Sequence, residues 1–92
     1  MKLLFDYGVD GEHIEAITTL PRWWDATDDE YDDYYIDYDA YLEEDGSYEC
    51  CVSLVYETAT DAYKEWSLAN FKAEDEESAC RLLELAADAL YE

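Results

Sequence analysis

Residues 23–49 read WWDATDDEYDDYYIDYDAYLEEDGSYE, and how this stretch folds decides the architecture of the whole chain. Twelve of its residues are carboxylates: Asp25, Asp28, Asp29, Glu30, Asp32, Asp33, Asp37, Asp39, Glu43, Glu44, Asp45 and Glu49. No Lys or Arg stands among them, and two tryptophans and six tyrosines are interleaved with the acids. A disordered acidic tail has little to bury and lacks such aromatics. A core strand lacks such acids. The stretch is suited to hold dense negative charge on a folded support.

Two periodicities compete inside it. From residue 34 to 42, alternate positions are Tyr34, Ile36, Tyr38, Ala40 and Leu42, against Tyr35, Asp37, Asp39 and Tyr41. That is the period of two expected of a strand, and Tyr and Ile favour strands. Tyr31, Tyr34, Tyr35, Tyr38 and Leu42 also fit helical spacing, and Thr27 with Glu30 would make a capping box. Two features closer to the C-terminus favour the strand. Asp45-Gly46 is a hairpin turn signal. Residues 47–58 (SYECCVSLVYET) then alternate again, with Tyr48, Cys50, Val52, Leu54 and Tyr56 forming one apolar face.

Further out, residues 2–9 (KLLFDYGV) read as a first strand ending in a glycine-rich turn. Residues 12–20 (EHIEAITTL) are ambiguous. Ile14 and Ile17 suit a short helix, Thr18 and Thr19 an extended chain, and Pro21 ends either. Residues 63–72 (YKEWSLANFK) suit another strand, with Trp66 and Leu68 sharing a face. Residues 75–91 give the clearest helix. Asp75, Glu76 and Glu77 sit at its positive end, and Ala79, Leu82, Leu83, Ala86 and Leu90 make an apolar stripe. The expected fold is α+β: an antiparallel meander sheet of three to four strands with the C-terminal helix packed on one face. Residues 1–92 are expected to form a single domain, since no linker composition divides them.

Charge is the unusual quantity. Five Lys and Arg against 26 Asp and Glu give −21, where a magnitude of roughly 2–8 serves a small domain well. Self-repulsion on this scale costs stability. A surface so negative repels nucleic acid and anionic membrane and attracts basic proteins. Three cysteines, two of them adjacent, make no disulfide framework and no zinc spacing; they read as buried, reduced thiols of a cytosolic protein. The stretch MKLLFDYGVDGE does not read as a signal peptide, and no apolar run approaches the ~20 residues of a membrane span.

Material for catalysis is thin. His13 is the single histidine and reads as a surface or turn residue. Only three glycines are present, and none forms a phosphate-cradling loop. An EF-hand starting at Asp37-x-Asp39-x-Tyr41 lacks its third acidic ligand and has Leu42 where a glycine is needed. No enzyme, cofactor or metal site is expected. What stands out is the reverse of a nucleic-acid-binding footprint. Lys and Arg bind phosphate and carboxylate with similar charge-assisted bonds. Acids at i and i+2 of one strand, such as Asp37 and Asp39, repeat at ~6.6 Å.

In size, in its 14 acids and no bases from residue 23 to 61, and in its interleaved aromatics, the chain resembles the small acidic phage proteins that mimic DNA, the anti-CRISPR and antirestriction proteins. The likeness is one of character rather than of a motif. It implies no catalysis and no direct nucleic-acid or membrane binding. It implies one-to-one binding, as monomer or dimer in the host bacterial cytoplasm, to the basic DNA- or PAM-recognition surface of a CRISPR effector subunit, in a Cascade-type complex or a single-chain nuclease. The expected partner-binding residues are Asp25, Asp28, Asp29, Glu30, Asp32, Asp33, Asp37, Asp39, Glu43, Glu44 and Asp45, with Tyr35 and Tyr41 adding stacking contacts. Exchanging Asp37 and Asp39 for Lys is expected to weaken inhibition and leave the fold intact. Rival readings are an immunity protein or antitoxin against a basic nuclease, an acidic domain of a halophilic organism, and a calcium-binding module.

Overall fold

The computed structural model describes residues 2–8, 11–21, 33–57 and 63–91. It is an α+β fold. Five strands, β1 (Asp6–Tyr7), β2 (His13–Thr18), β3 (Asp33–Leu42), β4 (Tyr48–Glu57) and β5 (Tyr63–Ala73), precede one helix, α1 (Glu76–Tyr91). The sheet order is β1-β2-β3-β4-β5 and every pairing is antiparallel. The meander therefore has five strands rather than three or four. The additional one is β2, whose sequence suits helix and strand alike. Pairing with β3 selects the strand: Ile14 and Ala16 are buried on one face and Ile17 is exposed on the other. A helix would have placed Ile14 and Ile17 together.

The β3–β4 hairpin forms where Asp45-Gly46 signals it. Glu43 N–H bonds Ser47 O at 2.8 Å and Gly46 N–H bonds Glu43 O at 3.1 Å. Gly46 has φ 87°, a conformation that costs a residue with a Cβ but not glycine. The register then runs unbroken from Leu42↔Tyr48 to Asp33↔Glu57. On β5 it slips near Leu68: Val52 pairs with Ala69 and Ser53 with Ser67. Before this bulge on β5, Trp66 pairs with Leu54 and is 65% exposed.

Ile36, Tyr38, Ala40, Cys50, Val52 and Leu54 point to the helix-covered face and are buried. They meet Ala79, Leu83 and Ala87 of α1, all at 0% exposure. Small alanines one turn either side of Leu83 bring the helix close to the sheet. The expected stripe is thus rotated: Leu82 is 38% exposed and Ala87 takes a core position. Full burial of side chains such as Ile36 or Leu83 contributes about 1.5–3 kcal/mol each. Asp75 caps the helix, accepting from Ser78 N–H at 2.8 Å, as an N-cap aspartate should. The first strand is shorter than its sequence suggests. Leu3 reaches the core, where its N–H bonds Glu84 Oε2 at 2.8 Å, but pairing is confined to Asp6 and Tyr7. All three cysteines are free, with Cys50 buried and Cys51 and Cys80 partly so. Burial pushes the Cys50 thiol up to about 11.

Candidate functional site

The meander gathers eleven of the described carboxylates into two groups. The first lies at one end of the sheet. Antiparallel order brings three connections to that end: the β1–β2 turn with Glu12, the β3–β4 hairpin with Glu43, Glu44 and Asp45, and the β5–α1 connection with Glu74 and Asp75. Glu76 and Glu77 in the first turn of α1 join them. All of these acids are exposed. From β2 to β5 is three inter-strand steps, so the group spans about 14 Å of sheet width at ~4.8 Å per step. Lys72 answers part of this charge, with Nζ 3.5 Å from Asp45 Oδ2. Hydrogen bonds from Ser47, and then Lys72, hold the Asp45 carboxyl below its ordinary value. Beside this end an open groove of about 510 Å³ is lined by Glu12, His13, Tyr41, Leu42, Glu43 and Glu44.

The second group lies on the face of the sheet away from α1. Register places His13 opposite Tyr41, Glu15 opposite Asp39 and Ile17 opposite Asp37 across β2 and β3. On the other side, β4 sets Cys51 against Asp39 and Ser53 against Asp37. His13 Nε2 and Asp39 Oδ1 are hydrogen-bonded at 2.7 Å. The His13 ring stacks on Tyr41, with centroids 4.5 Å apart and planes 4° from parallel. Donor atoms of His13, Glu15 and Asp39 all lie within 4.8 Å of one another. Asp37 adjoins the same group: its Oδ1 is buried without a hydrogen-bond partner. Burial first, then the contact with Asp39 and the charges of Asp39 and Glu15, push the Asp37 carboxyl up to about 8.

This arrangement corrects the expected display of acids. Asp37 and Asp39 do alternate onto the face away from the core, but Asp39 is only 5% exposed. A carboxylate already bonded to His13 and walled in by β2 and β4 is not free to meet a partner's Arg, and Lys in its place would disturb the fold. Tyr41 is 48% exposed, with one ring face taken by His13. Tyr35 is half-buried and its hydroxyl donates to Glu57 at 3.2 Å; burial and that glutamate push it up to about 12. Glu43, Glu44 and Asp45 are exposed as expected. Asp25, Asp28, Asp29, Glu30 and Asp32 fall outside the described residues. Asp33 opens β3, at the end opposite the hairpin. Nine residue steps of ~3.3 Å separate the two ends of this strand, about 30 Å. Among the described residues, Asp33 and the hairpin acids therefore stand at opposite ends of β3.

His13 and the acids at 74–77 were not among the expected site residues. The acids gave no signal beyond that of a helix start, and only the strand order carries them to the hairpin. No helix among the described residues is long and apolar enough to cross a membrane. No family model matches the chain, and no curated protein and no solved structure matches it either.

Proposed function

We propose that the chain is a non-catalytic acidic inhibitor that seats its acidic end in the basic nucleic-acid-binding surface of another protein, as a DNA-mimicking anti-CRISPR protein does in the host cytoplasm. The observation that carries this reading is the gathering of eight carboxylates, six on three separate connections and two in the first turn of α1, over about 14 Å of sheet width. Duplex DNA carries one charge per ~1.7 Å of axis, or about eight phosphates over the same length. Lys and Arg side chains spaced to grip phosphates would therefore meet carboxylates at a similar density, with charge-assisted bonds of the same kind. The scale of the whole molecule agrees: 21 net negative charges over a longest extent of 42 Å are one per 2 Å, between the axial spacing of a single DNA strand, ~3.4 Å, and that of the duplex.

Held on strand ends and a helix start, these acids lose less freedom on binding than acids on a disordered tail would. Attraction of this kind speeds encounter and weakens as salt rises. The test is competition. CRISPR effector complexes and restriction enzymes are incubated with the protein, and target-DNA binding is measured at low and physiological salt. Loss of DNA binding by one effector, without cleavage of any component and with weaker inhibition at higher salt, is the expected outcome. If every effector binds DNA undisturbed, this reading fails.

A further inference from the structure

We propose that His13, Glu15 and Asp39 form a binding site for one divalent transition-metal ion, with Zn²⁺ its best occupant. One imidazole and two carboxylates, on adjacent strands of a sheet, present their donor atoms within 4.8 Å of one another. Two ligands of one ion, at ~2.1 Å each, lie about 3.0–3.4 Å apart when adjacent and about 4.2 Å when opposite. The three donors thus need only small side-chain adjustments to close on one ion. His13 Nε2 and Asp39 Oδ1, at 2.7 Å, now share a proton. A metal ion would take that proton's place between them.

Two further observations point to a cation here. Asp37 Oδ1, adjoining Asp39 and Glu15, is buried and has no hydrogen-bond partner. Such a group costs stability unless a ligand satisfies it. It stands beside the three donors rather than among them, where it would accept from a water on the ion. Second, Glu15 stands directly opposite Asp39, a like-charge pairing that destabilises a sheet. Strands β2, β3 and β4 carry no Lys or Arg to offset it. The imidazole favours Zn²⁺ and its transition-metal neighbours over Ca²⁺ and Mg²⁺, which prefer an all-oxygen shell. The site lies on the sheet face, with His13 at the border of the groove beside the sheet-end acids, and it does not depend on the inhibitor reading.

His13 is the single histidine of the chain, so its imidazole signals in a proton NMR spectrum need no assignment. In physiological salt, one equivalent of Zn²⁺ is expected to shift or broaden them to a saturable end point, while Mg²⁺ at the same concentration does not. In calorimetry, His13→Gln and Glu15→Gln should each weaken Zn²⁺ binding by at least about tenfold, the range over which lost ligand support is felt. The doubly substituted Glu76→Gln, Glu77→Gln chain should bind as wild type. Unmoved imidazole signals at saturating Zn²⁺ would overturn the site, and that measurement needs no variant to fold. A thiolate-to-metal charge-transfer band with Co²⁺ would overturn it too, by placing the ion on a cysteine.

Discussion

Asp39 and Glu43 are four residues apart and both carry a carboxylate, yet they have opposite physical lives. Asp39 sits in the central strand of five, 5% exposed and bonded to His13. Glu43 stands at the mouth of the hairpin, open to water. Position relative to the neighbouring strands makes the difference. Inside the sheet, β2 and β4 close over a carboxylate from both sides and strip its water, so it must be paired or protonated. Past the end of the sheet nothing covers it, and eight carboxylates can collect with only screened repulsion between them. An acidic chain thus contains two kinds of acid. One kind constrains the fold, and the other is free for a partner.

Charge reversal should separate the two kinds most sharply. Asp39→Lys leaves His13 without its acceptor and forces a longer side chain into a site walled by β2 and β4. The His13 side chain stays 41% exposed, so losing this contact and misfitting a site that is 5% exposed costs about 1–3 kcal/mol, which urea denaturation at pH 7 would register. Glu43→Lys, measured identically, should stay within about 0.5 kcal/mol of wild type. Equal effects at the two positions would erase the distinction.

A second effect should appear in the pH dependence of stability. The Asp37 carboxyl ionises at about 8 in the folded chain, against an ordinary 3.8. Between those values the folded chain holds a proton that the unfolded chain has released, so unfolding free energy falls as pH rises from about 4 to about 8. Below pH 4 both states are protonated and the contribution is complete. Asp37→Asn should flatten this slope and leave the variant more stable than wild type at pH 8 and above. Chemical denaturation in the presence of a chelator, repeated at several pH values, checks the sign. A wild-type stability that rises across this window would contradict the burial of Asp37.

The smallest stability effects belong to the sheet end. Glu44→Gln or Glu76→Gln should each stabilise by no more than about 0.5 kcal/mol, by relieving self-repulsion. Thermal melts at low salt should show the gain, and melts near 1 M salt, where the screening length is ~3 Å, should lose it.

Much of the fold was legible in the sequence because β3 and β4 alternate cleanly and Asp45-Gly46 marks the turn between them. The helix was legible from its period. His13–Thr18 was not, because Ile14 and Ile17 suit a helix and Thr18 and Thr19 an extended chain; pairing with β3, from Thr18↔Ile36 to His13↔Tyr41, made the choice. The alternation put Asp37 and Asp39 on the correct face. Their burial depended on β3 being central, and that depended on β2 being a strand. The same gap hid His13, whose partner Asp39 lies across that pairing. The acids at 74–77 looked like helix-capping charge, and local sequence carries no sign that β5 ends beside the hairpin.

The most direct test of the account compares two variants in one assay. Once an effector that the protein blocks is in hand, DNA binding is titrated with wild type, with Glu43→Gln, Glu44→Gln, Glu76→Gln, Glu77→Gln combined, and with Glu15→Gln. The sheet-end variant is expected to lose the ability to displace DNA while melting no lower than wild type, and Glu15→Gln is expected to compete like wild type. A sheet-end variant that still displaces DNA at wild-type concentrations would contradict the assignment of that end as the binding surface.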